Sequence, residues 1–228
     1  MLVRNCMSRE LITVTPDDTL ATALVLTRRH RVRHLPVVLL GGDLVGILSD
    51  RDIRLAMPSP LTTPDAERSD FLERTAIAGI MSRDVVTVGP DDTIEDAAKL
   101  LYRHRIGALP VVDPQQQLRG ILSETDILHA FVRILGVAEP SSRIEVELPD
   151  RPGELGKAMT MMSEATGVNV VSIILPSLGR DENKTAVLHL ATIDPREAIQ
   201  VLEQGGYTVG WPSLARKVPK LGELRVTG

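Results

Sequence analysis

The chain reads as a mixed α/β (α+β) protein of two similar halves followed by a smaller βαββαβ unit. Three observations predict this. A displacement of 74 residues lays 7–56 on 81–130 without a gap, and 26 of those 50 positions are identical. Within each copy, short Val-, Ile- and Leu-rich runs alternate with helix-periodic stretches. From Arg143 onward the repeat stops and a different order of strands and helices begins.

In the first copy, Leu11 to Val14 is a short extended piece ended by Pro16. Thr19 caps a helix to about His30, with Leu20, Ala23, Leu24 and Leu26 on its apolar face. The matching helix runs from Thr93 to about His104. Leu35 to Leu39 is a strand, Gly41-Gly42-Asp43 a tight turn, and Leu44 to Leu48 the return strand. Asp113-Pro114-Gln115 makes the corresponding turn in the second copy. Each hairpin then feeds a helix through Gly46-Ile47-Leu48-Ser49-Asp50-Arg51-Asp52-Ile53 or Gly120-Ile121-Leu122-Ser123-Glu124-Thr125-Asp126-Ile127. Ser is a favoured N-cap, and an Asp three places later suits the positive end of the helix dipole. Pro58, Pro60 and Pro64 mark a loop between the copies, and a linker helix is expected over about 69–80, capped by Ser69. Two copies are too few for a solenoid, so the expectation is two halves packed face to face about a pseudo-twofold axis.

Composition narrows the function. A net charge of −4 gives no overall electrostatic case for nucleic acid or a membrane surface. Aromatics at 2% remove the stacking platforms of single-strand binders, so a bound base would lie between aliphatic side chains. Arg28-Arg29-His30-Arg31 with Arg33 is nevertheless a local basic cluster, which keeps a nucleic-acid-binding or transcription-related regulator as the alternative. Cys6 is the lone cysteine, which excludes an internal disulfide and a Cys-based zinc site. No metal site is expected. The start of the chain has no apolar signal core, and the apolar run Val168 to Leu175 is too short to span a bilayer. A cytoplasmic protein is expected. Enzyme chemistry finds no constellation: Cys6 has no paired His motif, the His spacing is not HExxH-like, and no Walker-type loop occurs.

The third unit reads in order as a strand from Arg143 to Leu148, a turn at Asp150-Arg151-Pro152-Gly153-Glu154-Leu155, and a helix to about Ala165. Strands follow at Val168 to Leu175 and Lys184 to Thr192. A helix from Pro195 to Leu202 stops at Gly205-Gly206, and Tyr207 to Trp211 is the last strand. The order βαββαβ is that of a ferredoxin-like sandwich. Met159, Met161 and Met162 are expected as core and partner-facing filler. Gly136 to Ser142 reads as a linker and 212–228 as an extended tail.

The doubled pattern Pro-Asp-Asp-Thr, His-Arg-x-x-x-Leu-Pro-Val-Val and Gly-Ile-Leu-Ser-x-x-Asp-Ile resembles the CBS domain, named for cystathionine β-synthase, over about residues 1–135. Two in tandem resemble a Bateman module, here as a first domain over 1–60 and a second over 61–137. The Asp150-Arg151-Pro152-Gly153-Glu154-Leu155 turn, with Gly167-Val168-Asn169-Val170 after the helix, resembles an ACT domain over 142–211. The whole order resembles regulatory proteins of the acetoin-utilisation type.

The resemblance implies adenine-nucleotide or related adenosyl ligands in clefts between the two domains. In the first copy it points to Thr13, Val14, Arg33, His34, Ile47, Ser49, Arg51 and Asp52. In the second it points to Thr87, Val88, Gly107, Ala108, Ile121, Ser123, Thr125 and Asp126. Asp52 and Asp126 would take ribose hydroxyls, since an ionised carboxylate offers two acceptor oxygens. Ser49 and Ser123 sit at helix starts, where a hydroxyl and free N–H groups can hold phosphate or ribose. The copies differ at Arg33-His34 against Gly107-Ala108, so the two sites are expected to be unequal, with phosphate preferring the cleft lined by Arg33. His30-Arg31 and His104-Arg105 are read as helix-end cations that suit the dipole.

An ACT domain implies a small-effector site, an amino acid for example, at Asp150, Gly153 and Asn169. The expected function is a non-catalytic regulatory sensor. It needs no cofactor, binds AMP, ADP, ATP or another adenosyl compound, acts on a regulated protein, and self-associates as a homodimer.

Overall fold

The computed structural model describes residues 1–136, 140–176 and 183–211. The tail over 212–228 and the middle of the 136–142 linker lie outside the described residues. The chain divides into a unit of residues 1–130 and a unit of residues 131–228.

In the first unit, α1 (Leu20–His30) begins at Thr19, whose side chain accepts from the Thr22 N–H. It ends at Arg31, which takes a left-handed conformation with φ 54°. The antiparallel hairpin β1 (His34–Val38) and β2 (Leu44–Ser49) follows, and β2 runs directly into α2 (Asp50–Ala56). The second copy repeats this as α4 (Ile94–His104), β3 (Ala108–Val112), β4 (Leu118–Ser123) and α5 (Glu124–Ile134). The hairpins match residue for residue: His34 faces Ser49 as Ala108 faces Ser123, and both shift register before the last pair. The Leu11–Val14 piece joins its sheet only through Val14, which bridges Val37 in parallel, as Val88 bridges Val111.

The linker helix differs from expectation. It is α3 (Asp65–Arg74), placing Ser69 inside the helix instead of at its cap, and Ile77–Gly79 forms a separate 3-10 turn. The reason for its early end lies in what residues 75–82 must do. The Leu20 N–H donates to the Thr75 carbonyl and the Ile77 N–H to the Asp18 carbonyl, while Ala76 bridges Thr19. A helix through Ile80 would withdraw those groups from the first copy.

The start of the chain makes the reciprocal contacts. The Ile94 N–H donates to the Met1 carbonyl, the Val3 N–H to the Asp92 carbonyl, and Leu2 bridges Thr93. Ser8 pairs with Ile121 as Ser82 pairs with Ile47. Each copy therefore lends its leading segment to the other, and the two are related by an approximate twofold. The first copy's core shows the exchange: Leu20, Ala23, Leu35, Val37, Leu48 and Ile53 are buried together with Ile77 and Met81 from the segment that precedes the second copy. The crossing is tight. A Cβ on Gly46 would stand 2.7 Å from the Met81 Sδ, and one on Gly120 would stand 2.5 Å from the Met7 Sδ.

In the second unit, β5 (Ser142–Pro149), α6 (Glu154–Thr166), β6 (Val170–Ile174), β7 (Asn183–Leu190), α7 (Arg196–Gln204) and β8 (Thr208–Trp211) follow in order. One antiparallel sheet has the strand order β6-β7-β5-β8, so the first and third strands are central. Ile144, Val146 and Leu148 alternate onto the buried face, where Ala158, Met162, Ala198 and Leu202 of the two helices meet them. Met159 and Met161 pack against this core.

Candidate functional site

A cavity of about 300 Å3 opens between the copies of the first unit. Its walls come from both. The first copy gives Ser8, Glu10, Leu11, Ile12, the Arg31–His34 segment and Pro36, and the second gives Ala108, Ile121, Ser123, Thr125 and Asp126. Arg33 thus faces the Ser-x-x-Asp of the other copy, and its Nη2 lies 3.4 Å from the Thr125 Oγ1.

The local geometry follows from the strand-to-helix junction. The Ser123 backbone N–H and hydroxyl both donate to Asp126 Oδ2, at 2.8 and 2.6 Å, and the Asp126 N–H donates back to the Ser123 hydroxyl at 3.3 Å. Ser49 and Asp52 form the same capping box, with distances of 2.9, 2.6 and 3.1 Å. The cap reading of these residues is correct in both copies. It uses one carboxylate oxygen of each Asp and pins the side chain. Among the described residues, Oδ1 of Asp52 and of Asp126 accepts no hydrogen bond, so each retains an oriented acceptor.

Of the expected site residues, Arg33, His34, Ala108, Ile121, Ser123, Thr125 and Asp126 line this one cavity. Val14 and Val88 are buried, at 2% and 4% exposure, and Thr13 and Thr87 next to them in the chain are half-buried. Ile47, Ser49, Arg51, Asp52 and Gly107 hold the positions related by the repeat. His34, which lines the open cavity, also brings its ring against Gly107: a Cβ there would stand 3.0 Å from His34 Cε1. Burial lowers the His34 pKa from its ordinary 6.5, and the Arg33 charge lowers it further, against the raising fields of Asp50, Asp52 and Glu124.

Reasoning from the sequence missed Ser8, Glu10, Leu11, Ile12, Arg31, Val32 and Pro36 as lining residues. The repeated Met-Ser-Arg at 7–9 and 81–83 was the available signal, because those triads mark the exchanged segments. Arg31 is a helix-end residue, since its N–H caps α1 on the Thr27 carbonyl, and it lines the cavity as well. Chemically the cavity combines aliphatic walls, the pinned Asp126 carboxylate with a free oxygen, the Glu10 carboxylate, the hydroxyls of Ser8, Ser123 and Thr125, the His34 ring and two guanidinium groups.

In the second unit, Asp150 pairs with Lys184 at 2.7 Å, and Gly153 takes φ 88° as the residue before α6. Asn169 lies past the far end of α6, whose 13 residues span about 20 Å. One chain does not bring Asn169 to Asp150 and Gly153. A cavity of about 220 Å3 in this unit is lined by Glu147, Glu154, Lys157, Asn183 and Tyr207, among others, and by none of the three. Among the described residues no group of three or more His, Cys, Asp or Glu is arranged to hold a metal ion, and no helix is long and apolar enough to cross a membrane.

Comparison with known proteins places the first unit in a family. The CBS-domain pattern matches residues 3–59 and 77–133. A CBS domain-containing protein of Dictyostelium discoideum is 35% identical over 143 residues, which are 62% of this chain and 99% of that protein. A Vibrio cholerae protein proposed to act in acetoin utilization (AcuB) superposes with a TM-score of 0.51 at 30% identity, over 62% of this chain and 98% of the other. CBSX2, solved in complex with AMP, gives 0.50 at 28% identity, over 58% and 97%. Some relatives are longer enzymes, of which the chain spans a minor part: 29% of an inosine-5'-monophosphate dehydrogenase of Korarchaeum cryptofilum and 23% of a homoserine O-acetyltransferase of Methanococcoides burtonii. A doubled strand-to-helix junction, a cleft built by both copies and a matching pattern over half the chain lead to one assignment: the chain belongs to the CBS-domain family, as a tandem pair followed by a second α+β unit.

Proposed function

We propose that this protein is a non-catalytic regulatory sensor whose CBS pair binds an adenosyl ligand in the Arg33–Asp126 cleft. The observation that carries the reading is the meeting of Arg33, from one copy, with Ser123, Thr125 and Asp126 from the other. Leu11, Ile12, Val32 and Ile121 would hold the base between aliphatic walls. Asp126 Oδ1 would accept from the ribose, and Arg33 would meet the phosphate. CBSX2, solved with AMP, supports an adenine nucleotide as the ligand class. The repeat-related cleft, with Gly107 in place of Arg33 and therefore no cation from that segment, would bind weakly or stay empty. Ligand that bridges the copies shifts their relative arrangement, and a regulated protein in the cytoplasm reads that shift.

The domain reading is 1–60, 61–137 and 142–211, with the last an ACT domain. The central placement of β5 and β7 in a four-stranded antiparallel sheet backed by two helices supports its ferredoxin-like form. An amino-acid or other small effector would then need Asp150 and Gly153 from one chain and Asn169 from a second, which makes a homodimer part of the proposal.

A thermal-shift panel tests the reading. It uses AMP, ADP, ATP, S-adenosylmethionine, NAD and the amino acids, with the mass in solution measured alongside. An adenosyl ligand at 100 times its dissociation constant should add about 2.7 kcal/mol of stability. No shift with any adenosyl compound defeats the cleft assignment, and a monomer insensitive to every amino acid defeats the effector site.

A further inference from the structure

The first copy holds a second cavity, of about 430 Å3, between the end of α1 and helix α2, and it shares Arg31, Val32 and Arg33 with the cleft. Leu24, Ile53 and Met57 form its apolar part. Arg28, Arg31, Arg33 and Arg54 converge on it, against the single carboxylate of Asp50. Arg54 binds that carboxylate at 2.8 Å. Arg28 and Arg31 have no carboxylate partner among the described residues. Like charges gathered in a concavity cost free energy unless an anion meets them.

The internal repeat acts as a control on whether folding needs these cations. At a displacement of 74, Arg28 becomes Tyr102, Arg33 becomes Gly107 and Arg54 becomes Leu128, while only Arg31 returns, as Arg105. The second copy builds the same helix and hairpin without the three. The helix dipole does not explain them either, because Arg103, His104 and Arg105 serve the end of α4 as Arg29, His30 and Arg31 serve that of α1.

The geometry points to a phosphate-chain site in the first copy, so that the two adjoining cavities together take a nucleoside polyphosphate. The nucleoside and first phosphate occupy the cleft, and Arg31 and Arg33 pass the outer phosphates to Arg28 and Arg54. Guanidinium forks match phosphate oxygens two at a time, which suits a flexible chain of them. This rests on the adenosyl reading of the cleft for its nucleoside half only; the anion half is a property of the arginines.

Calorimetric titration of the whole chain with AMP, ATP and sodium tripolyphosphate tests the site, with Arg28→Tyr and Arg54→Leu combined in one variant. These are the residues that the second copy carries at those positions, so the fold tolerates them, and equal melting temperatures without ligand verify it. The wild type should bind ATP about ten-fold or more tighter than AMP, and should bind tripolyphosphate by itself. The variant should lose tripolyphosphate and bind ATP only as tightly as AMP, with AMP affinity kept. ATP no tighter than AMP, or an ATP preference that survives in the variant, overturns the site. AMP binding with no response to tripolyphosphate overturns it and leaves the adenosyl reading standing. Tripolyphosphate binding that the variant abolishes, with no AMP binding, upholds the anion site and removes the adenosyl reading.

Discussion

The Arg33 guanidinium reaches the Thr125 hydroxyl across 92 residues of chain, Nη2 to Oγ1 at 3.4 Å. A hydrogen bond of that length is weak and yields readily to a better acceptor. The guanidinium is therefore positioned without being committed.

That placement makes Arg33→Ala selective for phosphate. AMP affinity should fall about ten- to hundred-fold, the worth of a charge-assisted hydrogen bond, with adenosine affinity unchanged. The gap should narrow as salt rises, because the side chain is exposed. Calorimetry with both ligands checks this, and an equal loss for adenosine sinks it.

The two Ser-x-x-Asp boxes separate capping from binding. Asp52→Ala and Asp126→Ala each remove one capping box, at a cost of about 0.5–2 kcal/mol in urea unfolding. Similar stability losses are expected. Ligand affinity should collapse only for Asp126→Ala, since Asp126 lines the open cleft. Equal binding losses would mean that both clefts are used.

Gly46→Ala and Gly120→Ala should each destabilise the first unit by about 1–3 kcal/mol, the usual cost of overpacking. The new methyl would meet the Met81 or Met7 sulfur and also a backbone carbonyl, that of Ser82 at 3.1 Å or Ser8 at 3.0 Å. Those carbonyls accept from Ile47 and Ile121 and cannot retreat without breaking the bridge. Shortening the methionine in a Gly120→Ala, Met7→Ala double variant should recover part of the loss, read as a higher urea midpoint than that of Gly120→Ala.

Two histidines should set a mild acid sensitivity. Burial lowers the pKa of His34, with Arg33 adding to the effect, and burial followed by Arg143 lowers that of His189. A native state that holds its imidazoles neutral binds fewer protons than the unfolded chain near the ordinary value of 6.5. Their contribution is complete above that value and is lost as pH falls through the lower native pKa values. Urea unfolding across this range should show stability falling on acidification, and His34→Gln with His189→Gln should flatten the slope. The His189 Nδ1 lies 3.0 Å from the Ser172 oxygen, whose hydroxyl donates to the Leu135 carbonyl.

Elements governed by neighbours along the chain were legible in the sequence. Thr19 and Thr93 cap their helices, and the hairpins at Gly41–Asp43 and Asp113–Gln115 close where turn residues cluster. Ser49-x-x-Asp52 is a capping box because the three-residue spacing alone dictates it. What was not legible depends on residues far apart. Ser69 looks like a cap locally, yet α3 starts after Pro64 with Asp65 and Glu67 in its first turn, and it ends at Arg74 because residues 75–82 are claimed by the first copy. The inequality of Arg33 and Gly107 could be read from the repeat, but not that Arg33 would face Asp126 instead of Asp52. No periodicity encodes which copy's helix a strand will meet. Asn169 and Asp150 belong to one motif, and the length of α6 separates them within a single chain.

The exchange of leading segments has a consequence for how the pair can be taken apart. Met1–Ser8 finishes the second copy, and Thr75–Ser82 finishes the first. A cut in the proline-marked loop at 58–64 would leave two fragments, each carrying the other's keystone and missing its own. Neither half is an independent module, so duplication produced one indivisible body whose halves must rise and fall together. A ligand wedged between them would act on both copies at once.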